Sequence, residues 1–216
     1  MPLKRRLPVK SKAIKREYGG RTVLDIPELS FEAGRIYAVM GANGSGKSTF
    51  AKAFALENMQ DGDFEIGYMP QKNYAFRMSV KKNVLVTGVS EEKAVMLIER
   101  LGLKELSDKN AKTLSGGETA KLALARVLGK HFDMLILDEP TAAMDVESTF
   151  EAEKMIKEYS ENEKAAVILI THSSGQALRI CNELIFLHKG KICERGPAAD
   201  VINNPKTKEA KAFLSL

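Results

Sequence analysis

The 216 residues are 44% apolar and 28% charged, a balance that suits one folded globular domain and excludes a disordered chain. The longest unbroken apolar run, residues 165–170, is six long, far short of the roughly 20 that a membrane-spanning helix needs. Lys4-Arg5-Arg6 leads into mixed charge, not into the apolar stretch of a secretory signal. The net charge of +5 is unevenly spread: residues 1–21 hold eight Lys/Arg against one acid, Glu17. No aromatic interleaves with these charges before Tyr18, so the segment reads as a solvated basic strand and tail, and no nucleic-acid partner is expected. Two cysteines, Cys181 and Cys193, with no CxxC spacing, read as reduced thiols of an intracellular protein.

In chain order, residues 22–31 predict a strand pair, or one bent strand interrupted by Pro27. Residues 35–40 read as a strand buried on both faces, followed by a glycine-rich turn and a helix from about Ser48, with Phe50, Ala51, Phe54 and Ala55 at helical spacing. Residues 74–112 are more polar, carry a helical pattern over 91–101 and lack a buried strand. They are expected to form a helical subdomain inserted into a core made of 1–73 and 113–216. Helices are predicted over 118–128 and 146–160, buried strands over 134–137 and 166–170, and a closing hairpin over 184–188 and 191–194 around Lys189-Gly190. Apolar strands alternating with helices predict an α/β fold with a mostly parallel sheet covered on both faces.

Each buried strand runs directly into a segment loaded with chemistry, and open parallel sheets bind ligands at those carboxyl ends. The first run leads into Gly41-Ala42-Asn43-Gly44-Ser45-Gly46-Lys47-Ser48-Thr49, which fits G-x-x-x-x-G-K-[ST]. The glycines let amides turn inward as an anion nest, and the helix that follows points its positive end at the same place. Lys47 can reach phosphate oxygens and Ser48 can ligate Mg2+, so this is a nucleotide site. The second run leads into Asp138-Glu139, where one carboxylate can hold Mg2+ and the next can deprotonate an attacking water; capping the following helix is the competing role. The third leads into Thr171-His172, where an imidazole can hydrogen-bond a terminal phosphate. Ser115-Gly116-Gly117-Glu118 before a helix is either a further phosphate-binding helix start or a plain N-cap.

The whole constellation resembles an ATP-binding cassette (ABC) ATPase, from about Tyr18 to about Val201. Residues 41–49 match the family's Walker A, Gln71 its Q-loop and residues 114–118 its signature. Residues 135–141 match Walker B with the catalytic glutamate, Asp145 the D-loop and His172 the switch histidine. The resemblance implies a P-loop NTPase (RecA-like) core with a reduced antiparallel β subdomain and an inserted helical subdomain. It implies ATP and Mg2+ as ligands, with Tyr18 stacking on adenine, Gly41, Asn43, Gly44, Ser45, Gly46, Lys47, Ser48 and Thr49 around the phosphates, and Ser48, Asp138 and Gln71 toward the metal. Glu139, Gln71, His172 and Lys47 take catalytic roles. Ser115, Gly116, Gly117 and Glu118 would close over the nucleotide of a second subunit in a head-to-tail dimer, with Asp145 at the same interface.

Ala42 stands where proline is usual, Glu118 where glutamine is frequent and Met144 where leucine is usual, and Thr119-Ala120-Lys121 replaces the usual polar pair after the signature. Only 24 positions separate Lys47 from Gln71, fewer than in most members, so the β subdomain is expected to be trimmed. None of these changes removes a phosphate ligand or the base. A cassette without fused membrane helices resembles the importer arrangement. That implies a subunit on the cytoplasmic face of the membrane, docked through its helical subdomain on separate permease subunits and working indirectly with a solute-binding protein. A soluble clamp using ATP without transport is the alternative, and a regulatory cassette that hydrolyses slowly is a third.

Overall fold

The computed structural model describes residues 8–59 and 64–214; Lys4-Arg5-Arg6 and part of the short Lys47-to-Gln71 segment lie outside the described residues. The N-terminal strands β1 (Val9–Lys10), β2 (Ile14–Tyr18), β3 (Arg21–Ile26) and β4 (Ser30–Phe31) form two antiparallel ladders, β2 with β3 and β1 with β4. The strand pair expected over 22–31 is corrected here. Pro27 does separate two strands, but each pairs with an earlier strand drawn from the basic segment. The cause is the partner strand β2, which buries Ile14 and turns Lys15 and Glu17 outward. A Gly19-Gly20 turn, both residues at positive φ, closes its hairpin with β3.

Beyond them run β5 (Ile36–Met40), α1 (Lys47–Met59), β6 (Ile66–Met69), α2 (Val80–Leu85), α3 (Glu91–Arg100), α4 (Gly116–Gly129), β7 (Met134–Asp138) and α5 (Val146–Glu163). Then come β8 (Ala166–Ile170), α6 (Ser174–Ile180), the hairpin β9 (Glu183–His188) and β10 (Lys191–Pro197), and finally α7 (Ala198–Asn203) and α8 (Lys208–Leu214). Strand β6 is a four-residue run holding a glycine, too short to carry a readable period. Gly67 sits there because a Cβ would come within 2.6 Å of the Phe132 ring.

By contacts the described chain falls into two compact units. The first runs to Tyr68 and takes in Phe132–Asp138 and everything from Ser160. Its sheet has the order β10-β9-β5-β8-β7-β6; the pairs β5–β8, β5–β9 and β7–β8 are parallel and β9–β10 is antiparallel. Both faces are buried, as the continuous apolar runs require. Tyr37 and Val39 point into a core with Phe31, Phe50 and Phe54, whereas Ala38 and Met40 point into another with Ala177, Phe186 and Ala210. The rings of Phe31 and Tyr37 meet edge-on at 4.9 Å, and each such buried side chain stabilises the fold by about 1.5–3 kcal/mol.

The second unit comprises Met69–His131 and Glu139–Tyr159. Helices α2, α3 and α4 pack on one another around Val80, Val84, Leu97 and Ile98. Ser79 and Ser90 cap α2 and α3 by accepting from the Lys82 and Lys93 amides. At the end of α3, Arg100 donates to Glu151 (2.7 Å) and Glu158 (2.6 Å) on α5. The spacing of the two acids, seven residues apart, puts them on one helix face for a single guanidinium to bridge.

Candidate functional site

In the first unit, strand register brings three loaded ends level. Val39 and Asp138 both lie opposite Ile170, so the phosphate-loop sequence, Asp138 and Thr171-His172 leave neighbouring strands side by side. The loop after β5 holds its shape through the Ser45 amide donating to Ala42 O (3.1 Å) and the Phe50 amide to Gly46 O (2.7 Å). Gly41, Gly44 and Gly46 have φ of 151°, 78° and 105°, and a Cβ on Gly41 would lie 2.2 Å from Leu187 O. All three have backbone conformations that side chains rarely adopt, and at Gly41 a side chain would also clash, which suits an amide-lined cradle.

Lys47, only 7% exposed, folds back over the loop and donates to Gly41 O (2.7 Å) and Ala42 O (3.1 Å). Ser45 is buried and its Oγ has no hydrogen-bond partner among the described residues, a polar atom facing the loop interior. Asp138 is 1% exposed. A buried carboxylate, a buried ammonium, an unsatisfied hydroxyl and a glycine-built turn form a donor set that fits a polyphosphate with a hard cation. Asn43 and Gly44 at the loop tip are exposed, and Ser48 and Thr49, in the first turn of α1, are half-buried. Tyr18 is 64% exposed at the tip of the β2–β3 hairpin, and His172 is exposed just past β8.

Two features of this unit carry no signal in the sequence. Tyr68, on β6, has a buried hydroxyl. Burial, reinforced by the Asp138 charge, pushes its phenol up to about 12, so it stays protonated. The turn of the β9–β10 hairpin is the other. The Gly190 amide donates to Ser45 O (2.8 Å) and Gly190 O accepts from the Asp25 amide (2.8 Å), which rivets the phosphate loop to β3. Gly190 has φ 76° and an added Cβ would sit 2.1 Å from Val23 O, so no side chain fits. Gly190→Ala is expected to cost about 2–4 kcal/mol of stability, checked by the midpoint of denaturant unfolding.

The second unit carries the other candidates. Gln71, exposed after β6, donates from Nε2 to Glu139 Oε2 at 2.8 Å. Glu139 itself has φ 52°, the left-handed region, a conformation that a side chain adopts at some cost. Ser115 is the N-cap of α4, the capping role of the two that its sequence leaves open. Its amide donates to Glu118 Oε2 (2.7 Å) and its Oγ accepts from the Glu118 amide (3.3 Å), a reciprocal capping box. These bonds hold the Glu118 carboxyl below its usual range. Beside Gly116 there is open space, whereas a Cβ on Gly117 would lie 2.6 Å from Ala143 O. Asp145 accepts from the Ser148 amide and hydroxyl (both 2.8 Å) and so caps α5. Those bonds lower its pKa, and Lys121 Nζ stands 3.7 Å from Oδ2.

No described helix is long and apolar enough to cross a membrane. Comparison with known proteins agrees with the motifs. The family model described as ABC transporter matches residues 24–142. The chain is 38% identical over 202 residues to the tungstate uptake system ATP-binding protein TupC of Peptoclostridium acidaminophilum, covering 84% of this chain and 94% of that protein. It is 32% identical to the phosphate import ATP-binding protein PstB of Campylobacter jejuni, covering 92% and 94%. Among solved structures, a bacterial Atm1-family ABC exporter with ATP bound superposes with a TM-score of 0.79 at 18% identity. The match covers 96% of this chain but 42% of the exporter chain, and it speaks to the fold.

Proposed function

The chain belongs to the ABC transporter family, and on that basis we propose that it is the ATP-binding and ATP-hydrolysing subunit of an importer, energising uptake of a small solute through separate membrane subunits. The observation that carries the importer reading is the near end-to-end match, 94% of their lengths, to ATP-binding proteins of uptake and import systems. The cassette sits on the cytoplasmic face of the membrane. Its helical subdomain, residues 74–112, meets the permease, and a solute-binding protein acts at one remove.

Within the first unit the amides of 41–48 and the Lys47 ammonium bind the phosphates, and Tyr18 offers its exposed ring to adenine. Ser48, Asp138 and Gln71 are the residues that would hold Mg2+. When bound, the ion neutralises charge on the phosphates. Glu139 takes the proton of the attacking water, and the Gln71 amide that donates to its Oε2 fixes the orientation of the carboxylate. His172 hydrogen-bonds the terminal phosphate.

Ser115, Gly116 and Gly117 act on the nucleotide of a second copy in a head-to-tail dimer, with Asp145 at the same interface; the open space beside Gly116 suits that approach. ATP closes the dimer and hydrolysis releases it, so the dimer interface is the two-state element. Recovery of the tagged chain from solubilised membranes together with permease subunits, and ATP-dependent solute uptake by the reconstituted complex, is the expected result. Recovery with ribosomes or nucleic acid in place of membrane subunits would overturn the importer reading in favour of a soluble clamp.

A further inference from the structure

Residues 74–76 follow Gln71 closely and are held from both sides within the second unit. From α2, the fully buried Asn83 accepts from the Phe76 amide (2.9 Å) and donates to Phe76 O (3.2 Å) and to two further carbonyls, Met78 O and Ser79 O. From α4, Arg126 donates to Tyr74 O (2.9 Å) while its guanidinium lies 4.6 Å from the Phe76 ring centroid and 5.5 Å from that of Tyr74. The two rings meet edge-on at 5.7 Å, and both remain exposed on their outer side.

Arg126 forms no ion pair among the described residues, although burial pulls its guanidinium below the usual arginine range. A desolvated cation held only by a carbonyl and two π faces stays where geometry puts it, and a planar fork can serve a carbonyl and a ring face together. The helix that carries Arg126 begins at the Ser115 cap, eleven residues or about 16 Å of rigid helix away.

We propose that Arg126 is a positioning residue that fastens the segment carrying Gln71 to the helix carrying Ser115, so that the two nucleotide-facing motifs of this unit move as one body. A load on the exposed Tyr74 and Phe76 rings then reaches Gln71 along the chain and Ser115 along α4. The proposal rests on the roles given above to Gln71 and Ser115.

The test is steady-state ATPase of the full chain, with its membrane partner, for wild type, Arg126→Met, Gln71→Ala and the double variant. Arg126→Met is expected to lower kcat about tenfold with KM for ATP held within about twofold, because the phosphate loop is untouched. Added to Gln71→Ala it is expected to cost no more than about twofold further, since both act through one residue. Should Arg126→Met unfold below the assay temperature, Arg126→Lys, which keeps the cation and gives up the planar fork, carries the same expectation. The chain has no tryptophan, so Tyr74→Trp supplies a single fluorescent reporter. Its emission is expected to shift red, and its anisotropy to fall, when Arg126 is replaced. Losses that multiply in the double variant, or a reporter signal indifferent to Arg126, would overturn the proposal. Wild-type turnover in Gln71→Ala would fail the Gln71 role alone, and the fluorescence of the reporter would still decide the clamp.

Discussion

Glu139→Gln is expected to reduce ATP turnover by about a thousandfold while leaving ATP binding and ATP-driven dimer closure intact, because a positioned general base contributes roughly 10²–10⁴ in rate. The substitution is nearly isosteric. The backbone at φ 52° is retained, and an amide at residue 139 still accepts from Gln71 Nε2 through its oxygen, so the local geometry survives while proton acceptance is lost. Single-turnover phosphate release against dimer mass in the presence of ATP separates the two quantities. Persistent turnover at a tenth of wild type or more would assign the base to another group, and loss of closure would make Glu139 a structural residue.

Lys47→Ala is expected to weaken ATP binding by about a hundredfold or more, close to 3 kcal/mol, read by calorimetry. The surroundings of the side chain give the reason. The ammonium is nearly buried and held by the Gly41 and Ala42 carbonyls. A phosphate oxygen takes over a charge already desolvated and oriented, so little ordering cost remains at binding. Removing the side chain gives up that charge-assisted bond, and it also leaves two loop carbonyls without their donor. An affinity within threefold of wild type would contradict the assignment. The two variants differ in kind: one binds and closes without turnover, the other fails before closure.

The buried strands and the phosphate loop are legible in the residues because their signals are local. A five-residue apolar strand buried on both faces needs nothing but its own run of side chains, and β8 lies where the run at 166–170 puts it. The anion chemistry proposed for the loop needs only consecutive amides and one lysine, so it is written in adjacent positions. The start of α4 is equally local, since Ser115 and Glu118 stand at the spacing of a capping box. The N-terminal strands differ from expectation because strand pairing is a non-local property. Residues 22–31 form strands on propensity, but what they pair with depends on residues 9–18 and on the Gly19-Gly20 turn.

Contiguous residues alone dictate the fold class, the nucleotide loop, the order of the motifs and the family, since the spacing of each is fixed by one helix turn, one strand end or one tight loop. Folding in three dimensions settles the rest: Gly190 is pinned between Ser45 and Asp25, Arg126 lies on Tyr74 and Phe76, and Glu139 takes a left-handed backbone to meet Gln71. Each of those contacts joins residues about 50 or more positions apart, where the partner is chosen by packing, and no periodicity in the chain records packing.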